Sequence, residues 1–342
     1  MLKPIKYVSA KNELVIIDQR QLPSYSEISL TNFDEVISAI ETMAVRGAPT
    51  IGITGAFGIV IGFYNKGKLI EPAKRRKYFG ELKNKLLETR ETAVNLSWAS
   101  EKMEQTLENN INSDMDNLLD AMIAKASEIQ KKNEEANKKI GTEGVGLLND
   151  KPRVLTHCNA GALATGGYGT ALGIVRTAQE QGKEPFVWVD ETRPRFQGSK
   201  INAWELEQLD IPYKIIIDSA ASSIMGAGKV DAVITGADRI ALNGDTANKI
   251  GTYGLAILAN KHNLPFYIAA PSSTIDRELE SGKQIPIEER DSKEIATIGN
   301  EELAPSGADF YNPAFDITPH EFISQIITEE GIFEPNNIRE SI

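Results

Sequence analysis

The chain contains one cysteine, Cys158, whose position after a predicted strand makes it a candidate reactive group. The strand is predicted over residues 153–157, where Val154 and Leu155 form a short apolar run after Pro152. In α/β proteins, ligands bind outside the carboxyl ends of such strands. A free cysteine that only fills space in the core is the commoner case, so both interpretations stay open at this point.

Asp238 is the candidate partner of this thiol. It lies in Gly236-Ala237-Asp238-Arg239, directly after a strand predicted over residues 231–235. If this strand neighbours the strand at 153–157, the carboxyl and thiol can act as an acid/base pair. Burial would raise the pKa of the carboxyl, and nearby cations would lower the pKa of the thiol. The alternative is a carboxylate that pairs with Arg239 and caps a loop.

Five predicted strands and the helices between them must position these groups. The strands cover residues 153–157, 185–189, 213–217, 231–235 and 265–270, and the helices cover about 167–181, 199–209, 219–226 and 250–262. Alternating strands and helices with apolar strands predict a parallel sheet covered on both faces. The segments after these strands supply carboxylates, arginines, Gln197 and Lys249 to one edge.

The N-terminal part is predicted to be mainly helical, after a β-hairpin. The hairpin strands cover 5–8 and 14–17. Asn32 caps the first predicted helix and Gly47 ends it, and Pro49 opens the second. A third helix starts near 89–92, and a fourth covers 114–140. We therefore predict an α/β protein with a smaller, mainly helical N-terminal domain carrying a short β-hairpin (1–128). A Rossmann-like, parallel-sheet catalytic domain follows (129–342).

Two of these helix starts are candidate anion sites. At Arg46-Gly47-Ala48-Pro49, free backbone N–H groups attract an anion and glycine lets a ligand approach closely. Arg46 would add a charge-assisted hydrogen bond. Arg90 lies at the start predicted near 89–92. For both arginines, the alternative is an ordinary solvated surface position.

Composition excludes several classes of function. The net charge of −11 argues against binding to nucleic acid or to an anionic membrane. One cysteine permits no internal disulfide, which suits a reducing cytoplasm. The N-terminus has no apolar signal segment, and the most apolar stretch, 51–64, is predicted to be too short to span a membrane. We expect a cytoplasmic protein.

The sequence offers little support for a metal or a nucleotide cofactor. Three scattered histidines and one cysteine give no metal-ligand spacing, and His157 is interpreted as a core histidine. Gly167, Gly169 and Gly173 suggest a dinucleotide site, but nine residues separate the run from its strand, which makes a dehydrogenase the weakest interpretation.

Five segments resemble the methylthioribose-1-phosphate isomerase family in the same order. They are Arg46-Gly47-Ala48-Pro49-Thr50-Ile51-Gly52, Thr156-His157-Cys158-Asn159-Ala160-Gly161, Glu191-Thr192-Arg193-Pro194-Arg195-Phe196-Gln197-Gly198, Gly236-Ala237-Asp238-Arg239 and Asn248-Lys249-Ile250-Gly251-Thr252-Tyr253. The resemblance extends from about residue 5 to residue 320. It implies an aldose–ketose isomerase of methionine salvage, acting on a sugar phosphate without metal or organic cofactor, and a homodimer.

The resemblance also implies roles for individual residues. Cys158 and Asp238 match the catalytic positions of the family. The substrate-binding positions, mostly phosphate contacts, are matched by Arg46, Gly47, Ala48, Arg90, Gln197, Asn248 and Lys249.

Two alternatives follow from the same resemblance. The wider family includes regulatory subunits of a translation-initiation exchange factor, which share the fold but generally lack the Cys/Asp pair, so a non-catalytic ligand-sensing protein is the alternative of another class. Glu91 stands where the isomerases commonly have proline, close to a proposed phosphate contact. This leaves 5-deoxyribose 1-phosphate and ribose 1,5-bisphosphate as alternative substrates.

Overall fold

In a computed structural model of the chain, residues 3–66, 70–90 and 94–341 are described. The chain forms two compact units. The first comprises Met1–Glu135 with Ala162–Gly169, and the second comprises Ala136–Gly161 with Thr170–Ile342. One long helix, Met115–Gly144, contains both the predicted domain boundary at 128/129 and the boundary between the units.

The first unit combines a three-stranded antiparallel sheet with helices. Strands β1 (Ile5–Val8), β2 (Glu13–Ile17) and β3 (Glu27–Leu30) pair in that order. The predicted hairpin of β1 and β2 is confirmed, with Ile5 opposite Ile16, whereas β3 was not predicted. The helices are α1 (Phe33–Glu41), α2 (Ala48–Lys66), α3 (Pro72–Thr89), α4 (Val94–Asn109), α5 (Met115–Gly144) and the short α6 (Ala162–Thr165).

Helix α1 begins as predicted but ends earlier. The Asn32 side chain accepts a hydrogen bond from the backbone N–H of Glu35 at 2.9 Å, which caps the first turn. The helix ends at Glu41 because Met43 adopts a left-handed backbone with φ of 58°. The prediction that it continues to Gly47 is therefore wrong. The buried side chains of Ala44 and Val45 extend the apolar pattern beyond the last helical turn.

Helix α2 is a core helix of this unit. Every residue from Thr50 to Phe63 is buried. With 19 residues, the helix is long and apolar enough to cross a membrane, so the expectation that the stretch 51–64 is too short to do so is corrected. However, 78% of its apolar window is buried inside the protein. Its glycines allow close packing, since a Cβ on Gly58 would lie 2.7 Å from Val36.

Arg90 directly follows the last residue of helix α3. Helix α3 starts with Pro72, packs Phe79, Leu82 and Leu86 into the core, and ends at Thr89, so that Arg90 is its C-cap. The next helix is described from Val94 onward, and the predicted start falls partly on residues 91–93, including Glu91, which lie outside the described residues. The prediction that Arg90 lies at the start of a helix therefore falls partly outside the described residues.

A mostly parallel seven-stranded sheet forms the centre of the second unit. The five predicted strands are confirmed as β4 (Arg153–Thr156), β5 (Phe186–Asp190), β6 (Tyr213–Ile216), β7 (Ala232–Thr235) and β10 (Phe266–Ala269). Strands β14 (Gln325–Thr328) and β15 (Gly331–Phe333) were not predicted. The order is β15-β14-β10-β7-β4-β5-β6. The pair β14 and β15 is antiparallel, and the other neighbouring strands of this sheet are parallel.

Both faces of this sheet are covered. Val154 and its neighbour Leu155 point to opposite faces and belong to two different buried apolar clusters. The covering helices are α7 (Ala171–Glu180), α8 (Ala203–Gln208), α9 (Ala221–Gly226) and α10 (Thr252–Lys261). A π-helical segment, Gly198–Asn202, leads into α8.

Smaller sheets complete the second unit. Strands β8 (Arg239–Ile240), β9 (Thr246–Lys249) and β13 (Phe315–Thr318) form an antiparallel sheet in the order β13-β9-β8. The residues after β7 therefore include two strands that were not predicted, β8 and β9. Helix α11 (Lys293–Ala296) precedes a small pair of strands, β11 (Thr297–Ile298) and β12 (Glu301–Glu302).

Candidate active site

Cys158 lies just beyond the carboxyl end of β4, in the middle of the parallel sheet. It is partly exposed and has a left-handed backbone with φ of 65°. Such a conformation costs a residue other than glycine on the order of 1–3 kcal/mol and persists only where the surroundings impose it. Here the Cys158 N–H donates to Thr192 Oγ1 at 2.9 Å, and the Cys158 carbonyl accepts from Asn202 Nδ2 at 2.8 Å.

Gln197 contacts the thiol. It lies in the segment after β5, is fully buried, and places its Nε2 atom 4.0 Å from Cys158 Sγ. An amide N–H at this position favours the negatively charged form of the sulfur. The structure thus brings together two residues to which the resemblance assigned separate roles in catalysis and in substrate binding.

His157 is a core histidine, as the sequence predicts. It is buried, with Nδ1 3.0 Å from Asp190 Oδ2 and Nε2 2.9 Å from the carbonyl oxygen of Ile250. Burial opposes the charged imidazolium, but the bond to Asp190 and the negative charges of Asp190 and Asp218 outweigh it, so the pKa of His157 is raised. Burial also raises the pKa of Asp190 to about 6.

His157, Asp190 and Asp218 form the one cluster with metal-like spacing among the described residues. Their ligand atoms lie within 4.8 Å of one another. However, His157 bonds to Asp190 and to a backbone carbonyl, and the two Asp218 oxygens accept the N–H groups of Thr192 and Arg193, both at 2.7 Å. These contacts describe a hydrogen-bond network that fixes the segment after β5.

Asp238 follows a strand adjacent to β4, as the acid/base hypothesis required. Strands β7 and β4 are parallel neighbours, with Leu155 opposite Val233. The Asp238 N–H donates to the carbonyl of Ala247 at 2.9 Å, which places it beside β9. Its side chain is exposed, so the expectation of a buried carboxyl is wrong. The reason is that Asp238 occupies the short connection between β7 and β8 rather than the sheet interior.

Arg239, the partner considered for Asp238 in the loop-capping alternative, forms an ion pair with another residue. Its Nη1 atom lies 3.4 Å from Asp276 Oδ2.

Asn248 and Lys249 lie side by side at the end of β9, and both are buried. Asn248 Nδ2 donates to Thr252 Oγ1 at 3.0 Å, and Lys249 Nζ donates to the carbonyl of Ala314 at 2.8 Å. Because His157 contacts the carbonyl of Ile250, the end of β4 and the end of β9 meet. The second unit thus gathers these two residues with the Cys158 and Asp238 segments.

The other four predicted residues belong to the first unit. Arg46, Gly47 and Ala48 lie where α2 begins, which agrees with the predicted helix start, and all three are partly exposed. Gly47 has φ of 95°, and a Cβ there would come within 2.1 Å of the Ala164 carbonyl oxygen. Arg90 is the C-cap of α3, and the helix start predicted beside it lies partly outside the described residues.

Sequence reasoning missed the residues that hold Cys158 in place. Thr192 and Asn202 are separated from Cys158 by 34 and 44 positions, and each bonds to its backbone. Thr192 lies in a segment that the resemblance singled out, but nothing in its spacing revealed a contact to Cys158. Asn202 carried no signal.

The chain belongs to the initiation factor 2 subunit family, which it matches over residues 44–335. Among its relatives is the methylthioribose-1-phosphate isomerase of Thermoanaerobacter sp. (strain X514). It is 48% identical over 339 residues, which cover 98% of this chain and 97% of the relative. The resemblance to the isomerases inferred from five short segments is therefore confirmed along nearly the whole chain.

Two solved structures are similar over nearly their full length. The crystal structure of 5-methylthioribose 1-phosphate isomerase from Pyrococcus horikoshii OT3 has a TM-score of 0.93 and 40% identity, covering 100% of this chain and 95% of that one. The translation initiation factor eIF-2B, subunit delta, from A. fulgidus has a TM-score of 0.89 and 39% identity, covering 98% and 97%. The fold is thus shared by an isomerase and by a protein with a translation-factor name.

Proposed function

We propose that the chain is an aldose–ketose isomerase that converts 5-methylthioribose 1-phosphate to 5-methylthioribulose 1-phosphate, a step of methionine salvage. The observation that supports this most strongly is its 48% identity, over nearly the full length of both chains, to a methylthioribose-1-phosphate isomerase. The presence of Cys158 and Asp238 after two neighbouring strands agrees with it.

The reaction requires the sugar ring to open, because C1 carries the phosphate. In the proposed mechanism, Asp238 gives a proton to the ring oxygen as the bond between that oxygen and C1 breaks. The hydrogen on C2 then moves to C1, and the C2 hydroxyl returns a proton to Asp238 as C2 becomes a carbonyl. Asp238 therefore ends each turnover protonated, as it began, and the cycle needs no net proton from solvent.

Cys158 has one of two roles in the hydrogen transfer. It either removes the proton from C2 and returns it to C1, or lies beside a hydride that moves directly between the two carbons. Substrate deuterated at C2 distinguishes the routes: loss of deuterium to water indicates proton transfer, and retention at C1 indicates the hydride shift. In both routes, Gln197, Asn248 and Lys249 are proposed to bind the substrate, with the Lys249 cation suited to a phosphate oxygen.

A non-catalytic regulatory subunit is the second candidate. It is favoured by the similarity to the eIF-2B delta subunit from A. fulgidus, whose TM-score of 0.89 is nearly as high as that of the isomerase. The presence of both Cys158 and Asp238 favours the enzyme over this candidate.

A substrate panel tests the proposal. The purified chain is incubated without added metal or nucleotide with methylthioribose 1-phosphate, 5-deoxyribose 1-phosphate or ribose 1,5-bisphosphate, and ketose formation is followed. We expect the highest kcat/KM with methylthioribose 1-phosphate. A higher value with another sugar would reassign the substrate, and no turnover on any of them would favour the regulatory subunit.

We also propose that the chain forms a homodimer, which the resemblance implies. Supporting this, the outermost strand β6 and the residue after it leave Ile215 and Ile217 exposed at 46% and 59%. Apolar side chains on a sheet edge are commonly covered by a partner. Light scattering should report a dimer that Ile215→Glu weakens, while Ile257→Glu, at another exposed isoleucine (41%), leaves it intact.

A further inference from the structure

We propose that Thr192 is a positioning residue that holds the backbone of Cys158 in the conformation needed for the reaction. The inference rests on the proposed function, because it assumes that Cys158 acts on the substrate. It starts from two residues in left-handed conformations that bond directly to each other.

Cys158 and Thr192 have φ values of 65° and 62°. For threonine, whose side chain branches at Cβ, this backbone is a clear outlier. The two residues come from different strand ends, and the Cys158 N–H donates to Thr192 Oγ1 at 2.9 Å. One hydrogen bond thus joins two residues with strained backbones. Such strain persists only where the surrounding structure imposes it, which indicates that the position of this bond is important.

The Thr192 hydroxyl is itself oriented. It donates its own hydrogen to the carbonyl of Asp190 at 3.0 Å, so a lone pair is left to accept from Cys158. The Thr192 backbone is fixed as well, since its N–H and that of Arg193 donate to the two Asp218 oxygens, both at 2.7 Å. Thr192 is fully buried, which protects these bonds from competition with water.

The opposite side of Cys158 is held by Asn202. Its Nδ2 atom donates to the Cys158 carbonyl at 2.8 Å, and its side chain is fully buried. The peptide groups on both sides of the cysteine are therefore anchored, which limits the directions available to the thiol. Thr192 is the better residue to test, because substitutions can remove its hydroxyl while retaining its shape.

A purely structural role would stabilise the fold without affecting the thiol. To separate the two roles, we would compare Thr192→Val, which has the same shape without the hydroxyl, with Thr192→Ser, which retains it. Thr192→Gly is a second variant without the hydroxyl, and it suits the left-handed backbone if valine prevents folding. Thr177→Val is the matched control, since it removes a buried hydroxyl that bonds to the Gly173 carbonyl at 2.9 Å within α7.

Two readouts are measured for each variant. The first is kcat and KM with methylthioribose 1-phosphate. The second is the rate at which iodoacetamide alkylates Cys158, the only cysteine of the chain. This rate can be measured whether or not the protein turns over a substrate. We expect Thr192→Val and Thr192→Gly to lower kcat at least tenfold with KM within twofold, and to change the alkylation rate at least threefold. Thr192→Ser and Thr177→Val should stay within threefold of wild type in both.

The inference is overturned if Thr192→Gly or a folded Thr192→Val keeps wild-type kcat and alkylation, or if Thr192→Ser is as impaired as they are. If the wild-type chain turns over none of the sugar phosphates, the proposed function fails, and alkylation alone decides on the positioning. A changed rate in the two variants without the hydroxyl then supports it, and an unchanged rate refutes it.

Discussion

The side-chain nitrogen of Gln197 lies 4.0 Å from the sulfur of Cys158, in a fully buried position. A residue that sequence resemblance assigns to substrate binding therefore also contacts the proposed catalytic group. An N–H donor directed at sulfur stabilises a thiolate relative to a thiol. The same amide can thus serve both the substrate and the reactivity of the cysteine.

The Gln197 contact predicts a specific loss of reactivity. Gln197→Met has a similar length but no N–H donor, so at neutral pH a smaller fraction of Cys158 would be thiolate. We expect iodoacetamide to alkylate the cysteine several-fold more slowly and kcat to fall. Gln208→Met, at an exposed glutamine that ends α8, should react like wild type. Equal alkylation rates in Gln197→Met and wild type would show that the contact has no chemical effect.

The proposed mechanism predicts that Cys158→Ser and Asp238→Asn each abolish isomerisation. A serine hydroxyl is a far weaker acid than a thiol, and asparagine cannot deliver a proton, whereas neither change removes a proposed phosphate contact. Isothermal titration calorimetry should therefore show sugar-phosphate binding close to wild type. Asp210→Asn, at an exposed aspartate, is the control for the second variant. Turnover near the wild-type rate in either active-site variant would refute these roles.

The buried pair of His157 and Asp190 predicts a pH dependence. Both pKa values are raised, that of Asp190 to about 6, so both groups bind protons more tightly in the folded chain than in the unfolded one. Their contribution to the free energy of unfolding therefore falls as pH rises. The decrease runs from about 4 to about 6 for Asp190, and from about 6.5 through the raised pKa for His157.

NMR titration tests this directly, since the chain has three histidines. We expect the pKa of His157 to lie above about 6.5 in the wild-type chain. Asp190→Asn removes the anion that bonds to His157 and raises its pKa, whereas burial, which lowers the pKa, remains. The pKa of His157 should therefore fall, while the titrations of His262 and His320 should not change. A His157 pKa that is the same in both proteins would rule out Asp190 as its cause.

Two glycines of the first unit predict opposite effects of the same substitution. Gly47→Ala places a Cβ 2.1 Å from the Ala164 carbonyl oxygen on a backbone with φ of 95°, and should destabilise the chain by about 2 kcal/mol or more. Gly80→Ala meets no atom within 4 Å in the middle of α3, and should stabilise it by about 0.5–1 kcal/mol. Chemical denaturation measures both changes. A Gly47→Ala variant as stable as wild type would contradict this account of Gly47, and a destabilised Gly80→Ala variant would contradict that of Gly80.

Local patterns predicted the central strands well, because their apolar runs are continuous and end sharply. Strand β4 was predicted to within one residue, and Cys158 was found because it is the only cysteine and directly follows that strand. Strand β14 was missed although Ile326 and Ile327 are both buried, because four residues followed by Glu329-Glu330 give little periodicity to detect.

Features that depend on distant parts of the chain could not be predicted. The end of α1 depends on a left-handed residue, Met43, within a sequence whose apolar spacing continues as in a helix. Asp238 was expected to be buried, but its exposure follows from the turn that β8 and β9 impose after β7. The bonds from Thr192 and Asn202 to Cys158 join three separate segments, and no local pattern encodes such contacts.

The placement of Ala162–Gly169 in the first unit has a consequence for synthesis of the chain. The Leu163 carbonyl accepts hydrogen bonds from Thr50 Oγ1 at 2.9 Å and Gln19 Nε2 at 3.1 Å. Two side chains from the first fifty residues therefore have this hydrogen-bond partner only once the segment has been synthesised. On the ribosome, the apolar core of the N-terminal unit lies within residues 5–129, but the unit cannot form these hydrogen bonds until Leu163 has emerged. By then, strand β4 and Cys158 have already been made, and the two units must finish folding in overlapping steps rather than one after the other.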